Sequence, residues 1–191
     1  MRKIKIDQKN TEKFKWQVKK SKTLVKNKYL NVKEHTIVRS DGSRGKYYIM
    51  HRNEFICVLP FDNRFFWLVG QYRLTAKSYM WEFVQGGVEK KETLLSAAKR
   101  ELVEETGFKA KKWTKLGVFH LAQGISDQKG HIYLAEGLEK IQQQIGEEEG
   151  EILQLKRVTR AELDKIIKAG EIFDASSLLC YYLFKDNKNY K

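Results

Sequence analysis

Proline occurs once in this chain, at Pro60, and cysteine twice, at Cys57 and Cys180. With so little proline, the loops must turn on Gly, Asn and Asp. Both cysteines sit in apolar runs, FICVLPF and SSLLCYYLF, and read as buried free thiols rather than as a disulfide or a metal pair. No apolar run approaches the length that spans a bilayer, which excludes a membrane helix. The basic start MRKIKIDQKNTEKFKW is followed by no apolar stretch, so it does not read as a secretory signal. Internal repeats and low-complexity linkers are also missing. What remains is a soluble chain, expected in the cytoplasm, whose 191 residues suffice for one domain of ordinary size and an accessory piece.

The net charge of +13 is spread unevenly. Residues 1–33 hold twelve Lys or Arg against Asp7 and Glu12, and the rest of the chain is close to neutral. A segment of that kind either keeps the chain in solution or attracts polyanions such as nucleotides and RNA. Phe14 and Trp16 interleave with its lysines, but two aromatics are too few for a stacking platform.

Residues 23–52 alternate as a small antiparallel unit that turns around Asp41-Gly42-Ser43. FICVLPF and FFWLVGQYR read as two apolar strands joined by Asp62-Asn63-Arg64, and Trp81-Glu82-Phe83 runs toward Gly86-Gly87. WTKLGVFHLA and HIYLAEGL read as strands flanking the loop Gly124-Ile125-Ser126-Asp127. An acidic stretch, residues 146–151, leads into the strand ILQLKRV. Thr159 and Glu162 form a capping box for a helix that Gly170 stops, and Asp174 caps a last helix, ASSLLCYYLFK. Strands with helices packed on them make the fold α+β or α/β in layers. The expected organisation is a basic arm over 1–21, an antiparallel strand unit over 22–52 and a main domain over 53–191.

Between these elements lies GGVEKKETLLSAAKRELVEETGF, residues 86–108. Glu92 to Glu105 has helix-forming composition, with Leu95, Ala98 and Leu102 on one stripe. At about 100° per residue, Glu101, Glu104 and Glu105 fall within roughly a 100° arc away from that stripe. Three carboxylates so close repel one another, and a hard cation that shares its shell with phosphate would turn the repulsion into binding. Arg100 projects near Glu92 and one turn before Glu104, where it can hold a carboxylate in place. Gly86-Gly87 permits a close backbone approach, and Gly107 suits the residue after a helix end.

Written as a pattern, the segment is Gly86, five residues, Glu92, seven residues, Arg100-Glu101-Leu102, one residue, Glu104-Glu105, one residue, Gly107-Phe108. It resembles the signature of the Nudix hydrolases at every defined position. The order of a leading strand unit, QYR, WEF, the box, a Gly-x-Ser-Asp loop, HIYLA and a late Glu-rich loop is similar to the ADP-ribose and nucleotide-sugar pyrophosphatase branch, over roughly residues 22–185. The resemblance implies a layered α/β/α fold with a mixed sheet between helices, and a homodimer built through the N-terminal strands. It also implies Mg²⁺, with Mn²⁺ as a substitute, held by Glu101, Glu104, Glu105 and the backbone carbonyl of Gln85. Arg73, Glu82, Ser126 and Asp127 would contact substrate. The general base would come from the late loop, Glu149 before Glu151, with Arg100 beside it in the catalytic group. The reaction implied is hydrolysis of the diphosphate in a nucleoside diphosphate sugar, ADP-ribose first. Relatives in that branch commonly read Leu-Pro-Ala before the glycines, where this chain has Phe83-Val84-Gln85. Gln-Gly-Gly is similar to the RNA 5′-end and dinucleoside polyphosphate branch, which stays open as an alternative. A nucleotide- or RNA-binding module without catalysis is the other.

Overall fold

A computed structural model of the chain describes residues 11–141, 153–187 and 190. It divides into two compact units, one of the N-terminal residues through Arg52 with the loop Ala122–Asp127, the other of Asn53–Leu121 and Gln128 onward.

The N-terminal unit is a three-stranded antiparallel sheet in the order β1 (Gln17–Lys26), β2 (Asn31–Val38), β3 (Arg44–His51). The first strand therefore begins inside the segment expected to be an arm over 1–21. The reason is local: Val18, Thr23, Leu24 and Val25 are strand formers, and their backbone pairs with β2 from Gln17↔Val38 to Lys26↔Asn31. The β1–β2 turn is an Asx turn, in which Asn27 Oδ1 accepts from the N–H groups of Tyr29 and Leu30. Trp16 packs edge-on against Tyr47, with the Arg39 guanidinium over its face. The loop Ala122–Asp127 is sewn to β3: the Met50 N–H donates to the Ile125 carbonyl at 2.8 Å, and Tyr47 Oη donates to Gly124 at 2.5 Å.

The second unit is a sheet in the order β10-β5-β4-β9-β8, with β6 added to β5 and β7 to β4. Its strands are β4 (Phe55–Asp62), β5 (Phe65–Arg73), β6 (Ser78–Glu82), β7 (Val84–Gly87), β8 (Phe108–His120), β9 (Lys129–Lys140) and β10 (Gln154–Thr159). All pairs are antiparallel except β4 with β9, so the sheet is mixed. β4 is buried from Phe55 to Pro60, as a strand covered on both faces must be. Its alternation splits the core. Ile56 and Val58 pack with Ala97, Ala98 and Leu102 of helix α1 (Leu94–Thr106). Cys57 and Leu59 pack with Leu163 and Ile166 of α2 (Arg160–Lys168) and Cys180, Tyr181 and Phe184 of α3 (Ala175–Asp186). This is the expected α+β layering, a mixed sheet between helices. Cys57 and Cys180 are both buried and free, and burial, with Cys180 beside it, pushes the Cys57 thiol well up.

Two details of α1 differ from the expected helix. It starts at Leu94 rather than Glu92, because Thr93 and Ser96 close a capping box in which each side chain takes the other's backbone N–H. Its core face is Ala97, Ala98, Leu102 and Thr106, and Leu95 is exposed. Small residues let α1 lie close on β7 and β4, and that closeness turns Leu95 outward.

Candidate active site

The site is assembled where α1 crosses β7. Gly86 stands opposite Ile56 on β4, and any Cβ there would fall inside the Glu101 carboxylate. Only glycine lets that side chain lie over the strand. At the far end of α1, Gly107 takes φ 71° and its N–H closes on the Val103 carbonyl, the left-handed cap that turns the chain into β8.

Arg100 organises the carboxylates. Its Nε and one terminal nitrogen donate to both oxygens of Glu92, at 3.1 and 3.0 Å. The other terminal nitrogen reaches Glu101 at 2.8 Å and Glu104 at 2.9 Å. A further bond runs to the Gly87 carbonyl at 2.9 Å. The pairing with Glu92 first, then the charge of Glu101, drives the guanidinium further toward its charged form, and Glu92 is held below the usual carboxylate range by the same contact. These bonds make Arg100 a holder of Glu92, Glu101 and Glu104.

Glu105 follows Glu101 by one turn of α1. Burial, and next the charge of Glu101, push its carboxyl well above the ordinary range, and a backbone hydrogen bond from Gln85 works against that push. Its Oε2 is buried with no hydrogen-bond partner. Burial raises Glu101 as well, in spite of Arg100. Two crowded, partly desolvated carboxylates with one lone oxygen are an electrostatic arrangement that a divalent cation resolves. Among the described residues no group of three or more His, Cys, Asp or Glu side chains is arranged to hold a metal ion by itself.

Arg73, at the end of β5, grips Glu82 with two parallel bonds of 2.9 and 2.6 Å, and the Glu82 side chain is only 3 % exposed. Both charges are felt at Glu105. Gln85 extends the network in the opposite direction. Its amide donates to Asp174 at 2.9 Å, and lies 3.4 Å from Glu82 and 3.5 Å from Ser177 Oγ. Ser177 Oγ in turn accepts the Phe83 N–H at 2.9 Å, while Asp174 caps α3 by accepting from the Ser177 N–H. Asp174 and Ser177 were not among the residues singled out from sequence. Asp174 was legible only as a helix cap, and no local pattern signals a bond to a glutamine 89 positions earlier.

The structure thus brings together Arg73, Glu82, Gln85, Arg100, Glu101, Glu104 and Glu105. Ser126 and Asp127 belong to the N-terminal unit. Ser126 Oγ donates to the Met50 carbonyl at 2.8 Å, and Asp127 binds His51 Nδ1 at 2.6 Å. Glu149 and Glu151 lie outside the described residues.

Comparison with known proteins matches this geometry to a family. Residues 50–178 match the NUDIX domain, and residues 16–50 match the nucleoside diphosphate sugar hydrolase N-terminal domain. An ADP-ribose pyrophosphatase of Bacillus subtilis (strain 168) is 34% identical over 110 residues, 58% of this chain, and the match spans 60% of that protein's length. A methanol dehydrogenase activator of Bacillus methanolicus is 30% identical over 143 residues, 75% of this chain and 71% of that protein. The crystal structure of an ADP compounds hydrolase superposes with a TM-score of 0.80 over 90% of this chain and 93% of that one, at 24% identity, which speaks for the fold alone. With the complete signature set on the α1–β7 crossing and a domain match over most of its length, this chain belongs to the Nudix family.

Proposed function

We propose that the chain hydrolyses the diphosphate bond of a nucleoside diphosphate sugar, ADP-ribose first, to a nucleoside monophosphate and a sugar phosphate. The observation that carries this reading is the Glu101 carboxylate lying directly over Gly86, with buried Glu105 one turn on and Arg100 holding Glu101 and Glu104. Nudix hydrolases generally work with a divalent metal. Here Glu101, Glu105, Glu104 and the Gln85 carbonyl are the proposed donors, and Mg²⁺ is the proposed ion. When bound, such an ion neutralises charge on the phosphate oxygens and lowers the pKa of a water.

The chain's own residues supply the rest. Arg100 holds Glu101 and Glu104 in one orientation, so the anionic oxygens are in place before substrate arrives. Gln85 steadies Glu105 through the backbone while its side chain locks β7 to α3. Arg73, fixed by Glu82, presents a cation at the rim for a substrate oxygen. The proton of the attacking water is assigned to a late-loop carboxylate, Glu149 or Glu151. Ser126 and Asp127 stay proposed substrate contacts on the family resemblance alone. Gln85 prompted the RNA 5′-end alternative, but here its amide is engaged by Asp174, a structural role that needs no RNA.

A homodimer built through the N-terminal sheet belongs to the same reading, as does work in the cytoplasm. Val18, Leu24 and Val25 on β1 are about half exposed, an apolar edge suited to a second copy. No helix among the described residues is long and apolar enough to cross a membrane. The deciding assay compares ADP-ribose and a 5′-triphosphate RNA at fixed Mg²⁺ and pH, with products identified. The nucleotide sugar should be favoured at least ~10-fold in kcat/KM, about 1.4 kcal/mol of transition-state binding. The reverse ranking moves the chain to the RNA branch.

A further inference from the structure

The N-terminal unit contains two histidines and an asparagine that the hydrolase reading does not use, set beside Asp127, which it does. His35 on β2 is 8% exposed, and its Nδ1 lies 2.9 Å from Ser21 Oγ on β1. His51 at the end of β3 has its Nδ1 2.6 Å from Asp127 Oδ2. The Arg52 N–H reaches the other Asp127 oxygen at 3.4 Å. In each ring Nδ1 is therefore engaged. The remaining nitrogens, His35 Nε2 and His51 Nε2, are both buried with no hydrogen-bond partner, and so is Asn31 Oδ1. Asn31 sits directly opposite His51 in the β2–β3 register. Three buried polar atoms without a hydrogen-bond partner in one small sheet require an explanation.

Imidazoles arranged in this way have the chemistry of metal ligands. A ligating histidine donates one ring N–H to a carboxylate or hydroxyl, which fixes the tautomer and leaves the other nitrogen's lone pair for the ion. Asp127 and Ser21 are such partners. The two rings meet edge to face, with centres 6.0 Å apart and planes at 77°. With metal–nitrogen bonds of about 2.1 Å and a tetrahedral angle, two imidazoles on one ion have centres roughly 5.3 Å apart. Ligation of one ion by both rings would require their centres to close by about 0.7 Å. Imidazole nitrogen with one amide oxygen selects a borderline transition-metal ion over Mg²⁺, which prefers an all-oxygen shell. Water fills the positions that the protein leaves open.

We propose that the N-terminal sheet carries a second cation site, for an ion such as Zn²⁺, built from His35 Nε2, His51 Nε2 and Asn31 Oδ1 and braced by Ser21 and Asp127. Because Asp127 comes from the loop Ala122–Asp127, ion binding there would also fasten that loop to β3. The proposed ligands are none of the Nudix residues, and only the brace Asp127 is shared with the proposed substrate contacts.

The test uses the full chain, stripped with a chelator and returned to saturating Mg²⁺. Zn²⁺ is titrated against a chromophoric chelator, and Co²⁺ is followed by its visible absorption. One equivalent should bind per chain, with a Co²⁺ spectrum showing nitrogen ligation. His35→Asn and His51→Asn should each weaken binding at least ~10-fold, and Asp127→Asn by ~10–100-fold through loss of the brace. Glu105→Gln, in the other unit, should leave Zn²⁺ affinity unchanged. Circular dichroism of each variant separates lost binding from lost folding, and Asp127→Asn, an exposed and isosteric change, remains informative if a histidine variant unfolds. Failure of Zn²⁺ to bind in the presence of Mg²⁺ would overturn the proposal. So would binding that Asp127→Asn and both histidine variants leave intact, or that Glu105→Gln abolishes.

Discussion

At the residue scale, the central tension is between Glu101, Glu105 and the low-dielectric crossing in which they sit. A buried carboxylate beside another is unfavourable in the folded state unless something compensates. Glu105→Gln removes that repulsion and one anionic donor while keeping size and helix propensity. Turnover should fall on the order of 10²-fold or more, with a thermal midpoint no lower than that of the parent. Loss of folding by circular dichroism, or near-parental turnover at saturating Mg²⁺, would remove Glu105 from the metal role. Gly86→Ala tests the same crossing from the strand side. Its methyl group claims the space of the Glu101 carboxylate, so activity should drop by a comparable factor although the Nudix carboxylates all remain. Arg100→Lys keeps the charge but cannot fork onto Glu92 while also reaching Glu101, Glu104 and Gly87. We expect roughly a tenfold or greater loss in kcat, read by steady-state kinetics with ADP-ribose.

At the element scale, α1 must be held at both ends for its acidic face to meet β7. Thr93→Ala breaks the capping box and should cost about 1 kcal/mol in a denaturant titration. Leu102, fully buried against the sheet, should cost about 2–5 kcal/mol as Leu102→Ala, and both effects should appear in stability before they appear in kcat. Much of this level was readable in advance. The caps at Thr159 and Asp174, the turn at Asp62-Asn63-Arg64 and the strands around Cys57 and Leu68 are written in local chemistry. The face of α1 was only partly readable. Periodicity placed Ala98 and Leu102 correctly, but it ranked Leu95 above Ala97 because it scores hydrophobicity and not the distance to the neighbouring strand.

At the scale of the whole molecule, charge and connectivity set the remaining expectations. The basic excess is concentrated before residue 34, yet Gln17–Lys26 is a paired strand rather than a loose arm. Removing residues 1–10 should leave kcat/KM for a nucleotide sugar within a fewfold. Removing residues 1–26 strips β1 from β2, leaves an unpaired edge, and should cause aggregation or change the oligomeric state seen by light scattering. If the basic segment binds RNA, its affinity should fall steeply with added salt. No measurable binding at low salt leaves it as a solubilising and pairing segment.

By itself the sequence determined the grouping of the Nudix carboxylates and the kind of most elements, though not the start of β1 or the strand β7. Spacing along a helix places side chains on a face without help from the rest of the chain, so Arg100, Glu101, Glu104 and Glu105 could be grouped from their positions alone. Caps and turns are likewise decided within a few residues. Tertiary structure decided what the isolated pattern could not carry: that Glu82 is engaged by Arg73, that Gln85 is held by Asp174 from the far end of the chain, and that Asp127 joins His51 in the N-terminal unit. Those contacts depend on which strands become neighbours, and β4 with β9 pair in parallel across more than seventy residues. Strand order is selected by the packing of two faces of one sheet at once, a condition that no local stretch of sequence contains.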